Sequence, residues 1–105
     1  MTLQAEETSI DQEIANELIE LTPDWWDSAV LEVTYSSEQG VETYSHEISS
    51  PEKHKDVVFP SEMLFDATHR LSMLFQRYGR RWHKAIFEVQ LQEDRSWKYT
   101  VRFEY

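Results

Sequence analysis

Ala85-Ile86-Phe87-Glu88-Val89-Gln90-Leu91 is followed by Gln92-Glu93-Asp94-Arg95-Ser96 and then by Trp97-Lys98-Tyr99-Thr100-Val101-Arg102-Phe103-Glu104-Tyr105. In the first run Ala85, Phe87, Val89 and Leu91 alternate with Ile86, Glu88 and Gln90. In the second, Trp97, Tyr99, Val101, Phe103 and Tyr105 alternate with Lys98, Thr100, Arg102 and Glu104. Strict period two puts one set of side chains on one face of an extended chain and the other set on the opposite face. Two such runs joined by a short polar segment predict an antiparallel hairpin with one apolar and one wet face. An apolar sheet face has to be covered, and the rest of the chain supplies the cover.

Working backward, Met63, Leu64, Ala67, Leu71, Leu74, Phe75 and Tyr78 recur at helical spacing. Pro60 suits a first helical turn and Gly79 the position just past the end. Residues 49–59 are polar, broken by Pro51, and read as a loop. Val30 to Tyr35 reads as a strand with Leu31, Val33 and Tyr35 on one face. Ser36-Ser37-Glu38-Gln39-Gly40 reads as a hairpin loop, and Val41 to Ile48 as a returning strand with weaker alternation. A first helix is predicted from Ser9, where Ser9 and Gln12 fit a capping box, to Leu21, since Pro23 disfavours helical backbone at Thr22. Ile10, Ile14, Leu18 and Leu21 form its apolar stripe, with Asp11, Glu13, Glu17 and Glu20 on the remaining surface. Residues 1–8 read as a flexible leader and 9–105 as a single domain. The order is α-β-β-α-β-β, an α+β fold with a four-stranded antiparallel sheet and two amphipathic helices.

The composition narrows the function. The 105 residues contain no cysteine, which excludes disulfide scaffolds, thiolate metal sites and cysteine nucleophiles. No apolar run approaches a membrane span, and residues 1–7 lack the basic and apolar regions of a signal peptide, so a cytoplasmic location without membrane partners is expected. Net charge is −10, and its placement is uneven. Residues 1–52 carry 13 acids and no Lys or Arg, whereas residues 53–105 carry 7 acids and 10 bases. An acidic face repels phosphate backbones, which argues against direct nucleic-acid binding, and attracts basic proteins.

Enzyme signatures are missing: there is no GxGxxG, P-loop, HExxH or GxSxG motif. Of the four histidines, His46 and Glu47 point to opposite faces of a strand, His54 sits solvated between Lys53 and Lys55, and His83 reads as a strand-entry residue. Asp66 and His69 are a helical i, i+3 pair, well short of a metal site. No catalytic residue, metal or cofactor is expected. The basic cluster Arg77, Arg80, Arg81 and Lys84 reads as helix capping and pairing with the acidic half. Trp25-Trp26 stands out: two adjacent indoles in a short connector, flanked by Asp24 and Asp27, cannot both enter one core. Either one lids the core while the other lies along the surface, or they form an aromatic anchor in an acidic patch, which Tyr44 could join.

The run Ile14-Ala15-Asn16-Glu17-Leu18-Ile19-Glu20-Leu21, then Thr22-Pro23-Asp24-Trp25-Trp26 and the strand Leu31-Glu32-Val33, resembles the YezG-like family of bacterial immunity proteins. Tyr44-Ser45-His46-Glu47-Ile48 and the stretch from Trp82 to Tyr105 are similar as well, so the likeness covers residues 10–105 in order. The turn Asp94-Arg95-Ser96 departs by lacking the glycine often found there, and the loop Ser49–Phe59 has its own composition. The resemblance implies an antitoxin that binds and neutralises a cognate secreted or contact-delivered toxin, typically a nuclease domain, as a monomer in a 1:1 complex. The expected toxin-binding residues are Glu17, Glu20, Asp24, Trp25, Trp26, Asp27, Glu38, Glu42 and Tyr44. The alternative is a non-catalytic adaptor domain.

Overall fold

The computed structural model describes residues 2–105. Its elements are helix α1 (Leu3–Leu21), strands β1 (Ser28–Glu38) and β2 (Val41–Ser49), helix α2 (Glu62–Arg77) and strands β3 (Lys84–Leu91) and β4 (Trp97–Glu104). This is the α+β order read from the sequence. The strands form one antiparallel sheet in the order β2-β1-β3-β4, so the two hairpins meet along β1 and β3. Across that seam Leu31 faces Phe87, Val33 faces Ala85 and Ala29 faces Val89, which sets large against small or medium side chains on the inner face. Ile14, Ala15 and Leu18 of α1 and Leu64, Ala67, Leu71 and Phe75 of α2 complete the core. The opposite sheet face, with Glu32, Glu47, Lys84, Lys98 and Arg102, is polar. Among the described residues no helix is long and apolar enough to cross a membrane.

Local chemistry explains where the elements stop. Gln39 and Gly40 both have positive φ (52° and 80°), the backbone of a two-residue type I′ turn whose twist matches the strands it joins. The loop expected over Ser36–Gly40 is therefore only two residues long, and Ser36, Ser37 and Glu38 extend β1. Ser61, not Pro60, caps α2: its hydroxyl accepts from the Leu64 amide at 3.2 Å, and Pro60 lies outside the helix. At the other end Gly79 adopts φ 72°. The Gly79 amide donates to the Gln76 carbonyl and the Arg80 amide to Phe75, the paired bonds of a Schellman stop. The turn without a glycine puts Arg95 at φ 73°, and the Asp94 carboxylate holds it by accepting from both the amide and the hydroxyl of Ser96.

The leader is the main correction. The helix starts at Leu3, and only Met1 of the segment 1–8 lies outside the described residues. Thr2 caps it through a hydroxyl that accepts from the Ala5 amide, Leu3 packs on the core, and the Tyr78 hydroxyl donates to Glu6 at 2.8 Å, tying this turn to the end of α2. Ser9 then lies mid-helix, and Gln12 bonds Asn16 instead of closing a capping box. Asp11, expected on the surface, lies on the core face: at i, i+3, i+4 and i+7 it shares a side with Ile14, Ala15 and Leu18 and is 3 % exposed.

Candidate functional site

The corner between α1 and β1 is built by short-range bonds. Thr22 returns its hydroxyl to the Leu18 carbonyl at 2.7 Å and its amide to Ile19, ending the helix. The Trp26 amide then closes on the Pro23 carbonyl at 3.0 Å, a tight turn that throws the two indoles to different sides. Trp26 is buried in the core. Trp25 is 62 % exposed. The lid-and-surface arrangement is therefore the one the protein adopts, and Trp26 is excluded from any contact surface because its ring is already covered.

A second segment locks this corner, and the sequence reading did not anticipate it. Residues 50–61 run back across it from β2 to α2. One oxygen of Asp56 accepts from both indole N–H groups, Trp25 at 2.9 Å and Trp26 at 3.2 Å. Those two donors hold the Asp56 carboxyl below its ordinary range. Glu52 accepts from the Asp27 amide (2.9 Å), the Ser28 amide (3.1 Å) and the Ser28 hydroxyl (3.2 Å), fixing the entry to β1. His54, expected to be solvated, instead stacks on Trp26 with ring centres 5.8 Å apart and planes within 9°. Trp25 thus projects outward with its polar edge held. An aromatic side chain fixed in this way loses little further freedom on contact with a partner.

The structure brings together only part of the expected set. Glu20 and Asp24 line one depression with Arg95 and Trp97, and Asp27 is exposed beside them in sequence. These three acids lie close to Trp25 in sequence, at the α1–β1 corner. Glu17 is half-buried between the helices and accepts from the Ser61 hydroxyl at 2.7 Å. Glu38 and Glu42 lie at the far end of β1. At about 3.3 Å per residue the length of Ser28–Glu38 sets them roughly 33 Å from the corner. Glu42 is also committed, to Arg81 at 2.9 Å and to the Tyr35 hydroxyl at 3.0 Å, and these partners hold its carboxyl below the usual range. Tyr44 turns inward, sharing a hydrogen bond with Ser72 at 2.6 Å and packing on Trp82, so it does not join the tryptophans. Of the nine expected residues, the corner therefore gathers only Glu20, Asp24, Trp25, Trp26 and Asp27, with Trp26 buried.

The remaining candidates are also accounted for. Arg81 pairs with Glu42 and lies over the Tyr35 ring, and Lys84 approaches Glu32 at 3.8 Å, so part of the basic cluster does pair with the acidic half. Asp66 turns to Arg70 at 2.9 Å, and Arg70 reaches Glu13 at 2.6 Å, which leaves His69 to pack edge-on against Tyr44. His46 bonds Thr68 at 2.7 Å from inside the sheet–helix layer, where burial holds its ring below the ordinary histidine range.

Exposed apolar side chains continue from the corner along the crossing segment, with Val57 and Phe59 (76 % exposed) followed by Met63 and Phe65 on α2. The signal for this was present in the sequence. A connection of a dozen residues is long for a compact domain, and such loops are commonly packed or functional. Val57-Val58-Phe59 also interrupts its polarity. Compared with known proteins, the chain matches no family model and no curated sequence.

Proposed function

We propose that the chain is a cytoplasmic immunity protein that captures a basic toxin domain, most simply a nuclease, in a 1:1 complex and silences it without catalysis. The observation that carries this reading is Trp25: an exposed indole, pinned at its N–H by Asp56, at a corner that also carries the exposed acids Glu20, Asp24 and Asp27. Exposed tryptophans in preformed positions are the usual anchors of protein interfaces. A nuclease must bind phosphates, so its substrate surface is basic, and an acidic corner with an anchor complements it. The resemblance of residues 10–105 to the YezG-like family supports the same reading.

The acids supply speed and the anchor supplies residence time. If the frame immediately upstream of this one encodes a basic C-terminal domain, that domain is the partner to use. Reversing charge at Glu20, Asp24 and Asp27 together is expected to slow its association about 10-fold or more at low salt and to flatten the dependence of the rate on ionic strength. Stopped-flow association over a salt series reads both. An unchanged rate and salt slope would remove electrostatic capture from the account. An upstream frame with no such domain, and a partner that is harmless when expressed alone, would leave a plain adaptor.

A further inference from the structure

The two outer strands of the sheet are unequal. β4 carries Lys98 and Arg102, charges that guard an edge against pairing. β2 is the other edge, and its charges, Glu42 and Glu47, are both acidic. All nine residues, Val41–Ser49, pair with β1 in unbroken register, with no bulge, proline, lysine or arginine. In an antiparallel pair about half the residues of an edge strand turn their N–H and C=O groups away from the partner, so β2 presents a straight row of them.

Side chains of α2 overhang this row. Phe65, His69 and Met73 recur at i, i+4 and i+8 on α2, a single stripe along the helix. Phe65 packs edge-on over His46 with ring centres 4.7 Å apart, and His69 over Tyr44 at 6.4 Å. Both rings therefore sit above the inner-face side chains of β2, yet Phe65 and Met73 remain nearly half exposed. A fifth strand beside β2 would slide its inward side chains beneath them. On the outer face Glu47 stands directly opposite Glu32. Like charges so placed repel. Lys84 approaches Glu32, whereas Glu47 has no ion pair among the described residues.

We propose that the β2 edge binds an extended segment of a partner by strand addition, with apolar side chains entering under Phe65, His69 and Met73 and basic ones alternating onto the Glu47 side. A second copy of this chain fits less well, since residues 41–49 would bring two further acids and no base to a molecule of net charge −10. The basic character of the partner rests on the immunity reading. The edge itself is tested without any toxin, so its failure leaves the Trp25 corner standing.

The probe is a short, capped peptide alternating valine and lysine. Its controls are the valine–glutamate counterpart and the same valine–lysine peptide N-methylated along one edge, which keeps the side chains but removes the pairing donors. Amide hydrogen exchange and chemical shifts locate binding. The expected result is protection of outward-facing β2 amides, at least about tenfold weaker binding of both controls, and a similar loss for Met73→Ser. Met73 is half exposed, so this variant keeps the fold. Three results overturn the proposal. In the first, the N-methylated peptide binds equally well. In the second, protection falls on β4 or the Trp25 corner, or no peptide binds. In the third, β2 protection rises with protein concentration alone, which assigns the edge to self-pairing.

Discussion

Trp26→Ala is expected to lower the stability of the fold by about 3–5 kcal/mol, the range for removing a fully buried aromatic side chain. Trp26 is 1 % exposed and lies between α1, β1 and the crossing segment 50–61. Its removal leaves a cavity, takes the stacking surface from His54 and leaves Asp56 with the Trp25 donor only. A domain of this size has total stability of roughly 5–15 kcal/mol, so the variant keeps a small margin at best. Urea unfolding read by circular dichroism gives the midpoint. A loss under about 1 kcal/mol would mean that the corner does not depend on this ring. Trp25→Ala, on the surface, is expected to stay within about 0.5 kcal/mol of the parent. Of the two neighbouring tryptophans, only Trp26 thus supports the fold.

Asp11→Asn is expected to stabilise the protein, and only where the carboxyl would otherwise ionise. Asp11 is buried on α1, one of its oxygens has no partner, and burial together with the neighbouring Glu7 pushes its pKa up to about 9. The Tyr99 phenol on β4 is raised as well, by burial and by these two carboxyls. Above the ordinary carboxylate range the unfolded chain releases a proton that folded Asp11 keeps, so stability falls as pH rises toward 9. Asparagine keeps the shape and donates to Glu7 as the protonated acid does, without holding a proton. At pH 8 the gain is expected to be about 2 kcal/mol, on the scale of one buried polar group, and it should vanish below pH 4. His46, lowered by burial, acts in the opposite sense, because stability is lost as pH falls below the ordinary histidine value of 6.5. A series of unfolding midpoints from pH 6.5 upward therefore isolates Asp11. Parallel curves for parent and variant would show that Asp11 is already ionised in the folded state.

The hairpin from Ala85 to Glu104 was legible because one face of it packs on the core, buried along β3 and partly buried along β4, so hydrophobicity itself carries period two. Strand order was not legible. A period-two pattern names the face a side chain takes but not the strand beside it, and the pairing of β1 with β3 is a long-range choice made by packing Leu31 on Phe87. Asp11 stands at i, i+3, i+4 and i+7 with Ile14, Ala15 and Leu18, so its place on the core face was written in the helical spacing, but a start at Ser9 puts it in a first turn where an acid is at home, and the start at Leu3 removes that reason. In the candidate site, Asp24, Trp25 and Asp27 could be read from composition at a corner. Which indole enters the core could not, since that is decided by the turn bond from Trp26 to Pro23. Asp56, Glu52 and His54 act at 24 to 31 residues' distance in sequence, and no local pattern announces such contacts.

Trp25, held by Asp56 at the acidic corner, is proposed to anchor a toxic basic domain. The most direct test is growth of cells expressing a basic toxin domain found by sequencing the frame immediately upstream, together with either the parent chain or Trp25→Ala at matched expression and matched unfolding midpoint. The account predicts that the parent restores growth and that Trp25→Ala fails, with affinity reduced about 30-fold or more, the loss of a 2 kcal/mol hot spot. Equal protection by both proteins, or no protection by the parent, would contradict it.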